Sequence, residues 1–286
     1  MNFYHHIRFK YRNLTFKLGH RPVRSSLPFI SGDTYRLNCE VDLSSTDHFA
    51  QFVDVPRSIF IASRQISSFL SFVVAQNLDL SKSDLFIHNG DETDNYAAIT
   101  ELARHFSTVY AVNWIGEHRK IRPIPIGLEN IRFLRNGFPG DFLAVDRKNH
   151  ISFDERPIEV LVAFSLHTNP VSRSAALQAT RGIRGVNMIQ TAIKPYEYLD
   201  LVSKSKFVLS PPGNGPDCHR TWEAIYLGAV PIVHASAWPF KAFDLPVIVL
   251  DDWESLSSAI ANFRDPGPIS RERLLELFFP LRKGGR

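Results

Sequence analysis

The chain has 286 residues, 44% hydrophobic and 22% charged, with a formal net charge of +4 and a pI near 9.1. That length admits two domains of ordinary size, and the composition excludes a disordered or fibrous chain. Two cysteines, Cys39 and Cys218, with no Cys-x-x-Cys, exclude a disulfide framework and fit a reducing, cytoplasmic setting.

Residues 1–27 read as a basic, aromatic arm. Arg8, Lys10, Arg12, Lys17, Arg21 and Arg24 all precede the first acidic residue, Asp33. Such a patch suits peripheral contact with an anionic membrane surface, or a solvated tail. No RNP-like or helix-turn-helix pattern accompanies it, so nucleic acid is not an expected partner. The opening is too interrupted by charge for a secretory leader, and the apolar stretch Ile59–Leu78 contains Arg64 and Gln65, so no membrane span is expected.

From residue 28 the pattern is α/β. Pro28–Asp33 reads as a short strand running into a glycine turn, with Asp33 at its end. Ile59–Ala62 is a strand, Gln65–Asn77 a helix with Ile66, Phe69, Leu70, Val73 and Val74 at helical spacing, and Leu85–His88 the next strand. That strand ends in Asn89-Gly90-Asp91. A helix over Tyr96–Phe106 and a strand over Val109–Val112 follow, leading to Asn113-Trp114. Strands alternating with helices imply a parallel sheet with ligands at the carboxyl ends of its strands, which puts Asp91 in a chemically useful place. Arg122–Asn130, with prolines at alternate positions, fits an extended connector at a domain cleft. Residues 28–140 are thus expected as one Rossmann-like domain and 141–157, in a stretch rich in Gly, Asp, Arg and Lys, as a linker.

A second domain is expected over 158–269. Glu159–Phe164 is a strand, Val171–Ala179 a helix carrying Arg173, and Tyr196–Lys204 another helix. An arginine one turn into the first helix can reach a diphosphate, though an exposed arginine is commoner. Lys206–Ser210 is a buried strand stopped by Pro211-Pro212. Gly213-Asn214-Gly215-Pro216 is a loop that lets backbone approach a ligand, and Asp217 is placed to cap a helix that Gly228 ends. On that helix Cys218, Trp222, Ile225 and Tyr226 share a sheet-facing sector, with His219, Arg220 and Glu223 in the next. A nucleoside diphosphate would use all three of the latter: Arg220 on phosphate, Glu223 on the ribose hydroxyls, His219 on either. An exposed Arg220–Glu223 pair at i,i+3 is the plainer alternative. Strands over Ala229–Val233 and Pro246–Leu250, a helix over Glu254–Phe263, and a closing helix within 270–286 that packs back on the first domain complete the chain.

The segment from Ser210 to Val233 resembles the donor-site signature of exostosin-like glycosyltransferases, with Asp217, Arg220, Glu223, Gly228 and Pro231 in the matching places. The resemblance implies two Rossmann-like domains of GT-B type with a cleft between them, and a nucleotide-sugar donor (a UDP-sugar is expected) held by the second. The donor-binding set is then Ser210, Gly213, Asn214, Gly215, Asp217, His219, Arg220, Glu223 and Arg173. No Asp-x-Asp occurs, so no metal or other cofactor is expected, and Arg220 is the residue to stabilise the departing diphosphate. If the reaction inverts, Asp91 first and Asp33 second are expected to take the proton of a glycan acceptor. A non-catalytic nucleotide- or glycan-binding protein and a GT-B sugar-nucleotide epimerase are the alternatives.

Overall fold

The computed structural model describes residues 25–44, 49, 55–91, 95–133 and 138–279. The basic arm up to residue 24 and the end of the closing segment beyond 279 lie outside the described residues. No helix among the described residues is long and apolar enough to cross a membrane.

Two parallel five-stranded sheets form two Rossmann-like lobes. The first runs β1 (Val41–Asp42), β2 (Ser58–Ala62), β3 (Leu80–His88), β4 (Phe106–Val112), β5 (Ile121–Ile124), in that spatial order. Alternation sorts its side chains. Ile59, Ile61, Leu85, Ile87, Val109 and Ala111 face helices Ile66–Ala75 and Tyr96–His105, which supply Phe69, Val73, Ile99 and Leu102. Phe60, Phe86 and Val112 face the other way, into a core that both lobes share. Part of the expected connector at Arg122–Asn130 is therefore a strand. Pro123 sits opposite Ala111 on β5, an edge strand, where a missing N–H costs no ladder bond.

The second sheet runs β10 (Ile248–Leu250), β9 (Val230–His234), β8 (Ser205–Leu209), β6 (Ile158–Val162), β7 (Val186–Met188). One face packs on helices Pro170–Ala179 and Leu256–Asn262 through Ala176 and Leu256. From the other face, Leu161 and Val208 join the shared core with Trp222, Ile225, Leu199 and Phe142. Strands β1 and β7, two and three residues long, have no counterpart in the sequence reading, because runs that short carry no usable period.

Two other expectations are corrected. Pro28–Asp33 is not a strand: Ser31 alone makes a bridge, to Leu128, and its hydroxyl accepts from the Thr34 N–H to start the helix Gly32–Arg36. The first half of the expected linker, 141–148, lies in a helix, Pro139–Lys148, with proline in its first turn and Phe142 and Val145 buried three residues apart. Its end is tied to helix Pro195–Ser203, where Lys148 Nζ and Asn149 Nδ2 both donate to Asp200 Oδ1, at 2.8 and 3.0 Å.

The closing helix Arg271–Phe278 touches both lobes. Phe278 meets Trp222 edge-on at 5.6 Å, while Tyr35 stacks on Phe279 at 5.3 Å and donates its hydroxyl to the Phe278 carbonyl. Between the lobes, the Ile30 N–H donates to Tyr226 Oη at 2.9 Å and the Ile126 N–H to Asp217 Oδ2 at 2.8 Å.

Candidate functional site: a cleft at the strand switch point

In the second sheet β6 lies between β7 and β8, so the chain reverses its direction of travel between β6 and β8. Loops leaving the carboxyl ends of these two strands diverge, and a crevice must open there. A cavity of about 640 Å³ does open there. Its walls include the turn Ala163–Ser165 after β6, the Gly213–Gly215 loop after β8, and the helix His219–Tyr226. From the first lobe Asp91 and Ile126 reach it.

The signature helix points three side chains inward. His219 Nδ1 lies 2.7 Å from the Gly127 carbonyl. A carbonyl only accepts, so Nδ1 carries the proton, and Nε2 is left to face a ligand. Arg220 donates from Nε to the Ala163 carbonyl at 3.1 Å, and its buried Nη1 has no acceptor among the described residues. Glu223 is buried, accepts from the Tyr198 hydroxyl at 3.0 Å, and has its carboxyl pushed up by burial. Among the described residues Arg220 and Glu223 form no ion pair with each other, which removes the exposed-pair alternative.

Arg173 joins this group from the helix Pro170–Ala179. It is buried and lines the cavity, donating from Nε to the Pro212 carbonyl at 3.0 Å and from Nη1 to the Ser165 carbonyl. Burial and then the neighbouring Arg220 push its guanidinium down from its ordinary value. The Phe164 ring neighbours both arginines, with the guanidinium carbons 5.6 Å (Arg173) and 5.3 Å (Arg220) from its centre. Among the described residues no carboxylate comes within 4.0 Å of either guanidinium.

The loop glycines serve the joint between lobes as much as the cavity. A Cβ on Gly215 would sit 2.6 Å from Asn113 Nδ2, and one on Gly213 2.7 Å from Arg173 Nη2. Asn113 cannot easily yield: its backbone is left-handed, at φ 61°, and its Oδ1 accepts from the Asp217 N–H at 3.2 Å. Gly215→Ala is therefore expected to destabilise the protein by about 1–3 kcal/mol, although an added methyl alone would trim unfolded-state entropy. Urea unfolding of the single variant and of the double variant with Asn113→Ala checks this. The double variant should lose less than the sum of the two single losses, and purely additive losses would place the clash elsewhere. Asn214 is exposed and donates to Asp91 Oδ2 across the cleft at 3.5 Å.

Three expectations for site residues are corrected. Asp217 does not cap the helix, whose N-cap is Cys218 with no side-chain bond. Its carboxylate instead takes the Ile126 N–H of the first lobe and Trp222 Nε1–H at 2.9 Å. Ser210 lies beneath the cavity, sharing a hydrogen bond with Thr221 Oγ1 at 2.8 Å. Asp33 does not line the cavity; it is fully buried in the first turn of helix Gly32–Arg36, and its N–H donates to Asn130 Oδ1 at 2.7 Å. Phe164, Tyr198 and the Ile126–Gly127 connector were not legible as site residues. No local spacing marks them, and each arrives by folding across more than twenty residues.

Burial pushes the Asp217 carboxyl from its ordinary 3.8 up to about 6, against the pull of its N–H donors. The folded chain thus keeps a proton through a window, from about pH 4 to 6, in which the unfolded chain has released it. Stability from this group is full below that window and lost as pH rises through it, a change of roughly 3 kcal/mol. Urea midpoints measured from pH 4 to 7 should fall more steeply in the wild type than in Asp217→Asn. Parallel curves would show that Asp217 ionises normally.

Two Rossmann-like domains with a cleft between them, and a cavity lined by Arg173 and Arg220 at the switch point of the second, define a GT-B-type architecture. No protein-family model matches the chain, and no curated protein matches it. Similar solved structures include the UDP-GlcNAc 2-epimerase of Methanocaldococcus jannaschii, at 12% identity and TM-score 0.35, covering 78% of this chain and 76% of that one. The same enzyme in complex with UDP-GlcNAc and UDP gives 12% identity, TM-score 0.37, and coverage of 78% and 74%.

Proposed function

We propose that the cavity binds a nucleoside-diphosphate sugar, with a UDP-sugar the first candidate, and that the protein transfers the sugar to a glycan acceptor. One observation carries the reading: Arg173 and Arg220 both lie against Phe164 at the switch point, with no carboxylate within 4.0 Å of either guanidinium among the described residues. Two neighbouring cations held partly out of water are stable partners for a dianion, and a pyrophosphate supplies one. The likeness of residues 210–233 to the exostosin-like donor signature supports the same reading.

In this reading Arg220 and Arg173 take the phosphate oxygens and offset the charge that grows as the diphosphate leaves. Glu223, steadied by Tyr198, accepts from the ribose hydroxyls. His219 presents Nε2 beside the phosphates, and Asp91, on the facing lobe, takes the acceptor's proton. Asp33, buried and outside the cavity wall, has no place in it.

A second reading, rearrangement of the sugar with no acceptor, is favoured by one feature. Among the described residues the first lobe contributes Asp91 and Ile126 to the cavity wall, and a rearrangement needs no acceptor surface. The test is calorimetric titration with UDP, UMP and UDP-sugars, followed by assays for UDP release with a glycan panel and for sugar interconversion by NMR. Acceptor-dependent UDP release supports transfer, interconversion without acceptor supports rearrangement, and binding with neither leaves a scaffold. Failure of every nucleoside diphosphate to bind overturns the proposal.

A further inference from the structure

Among the described residues His219 is the one histidine that lines the cavity, and its two ring nitrogens meet different surroundings. Nδ1 lies 2.7 Å from the Gly127 carbonyl on the connector of the first lobe. That carbonyl only accepts, so the single proton of a neutral ring is held there. Nε2 has no hydrogen-bond partner among the described residues, and the residue is only half-buried. In the free protein Nε2 therefore offers the cavity a lone pair.

Several charged and titratable groups face this ring. Asp217 precedes it in the loop and Glu223 follows one turn on, and both carboxyls feel its charge. Arg220 is its neighbour on the same helix, with Cys218 on its other side. Arg173 comes from helix Pro170–Ala179, Tyr198 from helix Pro195–Ser203 and Asp91 from the first lobe, all on the wall of the same cavity. Glu129, on the connector, acts on Glu223. Burial keeps the Cys218 thiol and the Tyr198 phenol above their ordinary values, and it lifts the Asp217 carboxyl to about 6.

We infer that binding of a pyrophosphate in this cavity takes up one proton, which sits on His219 Nε2 and makes the ring a charged donor to a phosphoryl oxygen. An esterified pyrophosphate only accepts near neutrality, as the Gly127 carbonyl does. A ring with an acceptor at each nitrogen needs both N–H groups, and only the imidazolium has them. A charged N–H on phosphate is also the shorter and stronger bond, and Asp217 and Glu223 offset part of the charge the ring gains. If Nε2 met a ribose or sugar hydroxyl instead, that hydroxyl would donate to the lone pair and no proton would be taken up. The inference rests on the proposed nucleotide-sugar reading of the same cavity, and it adds which form of His219 meets the donor.

The test uses UDP-glucose, UDP-galactose and UDP-GlcNAc, whose esterified diphosphates carry no titrating proton near neutrality. Binding enthalpies of the tightest of these in Hepes, Tricine and Tris at about pH 7.5, buffers of different ionisation enthalpy, give the number of protons exchanged. Wild type should take up roughly 0.5–1 proton per ligand, and its affinity should fall by up to about tenfold per unit as pH rises from about 7 to 8.5. His219→Gln keeps an amide donor that cannot change charge, and should show no uptake and a flat affinity profile. Asp217→Asn should keep the uptake, which excludes that carboxyl as its seat. Nitrogen NMR of histidine-labelled wild type needs no variant, and should show one ring gaining a second proton when ligand is added. No uptake in the wild type, or an uptake that survives His219→Gln, overturns the inference. If no UDP-sugar binds, the nucleotide reading itself has failed, and that result is separate because it appears before any buffer or variant is compared.

Discussion

Arg220→Ala is expected to weaken UDP binding about 100-fold, or ~2.7 kcal/mol, and to leave the protein as stable as before or slightly more so. Opposite signs follow from the free-state geometry. Arg220 gives one hydrogen bond, to the Ala163 carbonyl, and its loss costs about 1 kcal/mol. Against that, the substitution removes a cation that has no carboxylate within 4.0 Å among the described residues, depresses the ionisation of Arg173, and holds a buried Nη1 with no acceptor among those residues. Functional sites commonly keep such unfavourable groups because the ligand satisfies them. Calorimetric titration and thermal melting on the same preparations check both halves. Undiminished UDP binding would remove Arg220 from the site. A large fall in melting temperature would mean that its role is structural, and the loss of affinity would then say nothing about contact.

Trp222→Ala should produce the largest stability loss of any single change in the signature helix, about 3–5 kcal/mol from the side chain alone. The indole is fully buried and meets Trp238 at 6.1 Å, Phe240 at 5.4 Å and Phe278 at 5.6 Å. These neighbours come from the segment after β9 and from the closing helix, so a void there loosens the core common to both lobes. The indole N–H also donates to the buried Asp217 carboxylate, whose remaining N–H donor from the first lobe is that of Ile126. Trp222→Phe separates the two contributions. It keeps most of the volume and loses the donor, and should cost about 1–3 kcal/mol. Urea unfolding gives both values, and an alanine variant within 1 kcal/mol of wild type would contradict the packing described.

The order and type of the longer elements were legible in the sequence because they depend on local periods. Phe60 alternating with Ile59 and Ile61 marks a strand wherever it lies, and Phe69 with Val73 marks a helix face. Helix Pro139–Lys148 was also legible in principle, from Pro139 and the Phe142–Val145 spacing, but its glycine, aspartate and lysine content resembled a linker. His219, Arg220 and Glu223 could be grouped by a helical count, since their shared direction is fixed within eight residues.

Tertiary structure alone decided what these groups meet. Asp217 looked like a cap from its position before a helix, yet an amide more than ninety residues away, that of Ile126, claims its carboxylate. Asp33 ended an apparent strand in the sequence, but burial under the first sheet's strand ends keeps it from the cavity. Arg173 could have been one more exposed arginine until β6 and β8 were set side by side, which brings Ser165, Pro212 and Arg220 around it. Sequence by itself determined the α/β alternation and the cluster on one helix, because both are written in neighbouring residues. The pairing of two cations over one ring, and the cleft that exposes them, come from strand order in the second sheet, which no local period records.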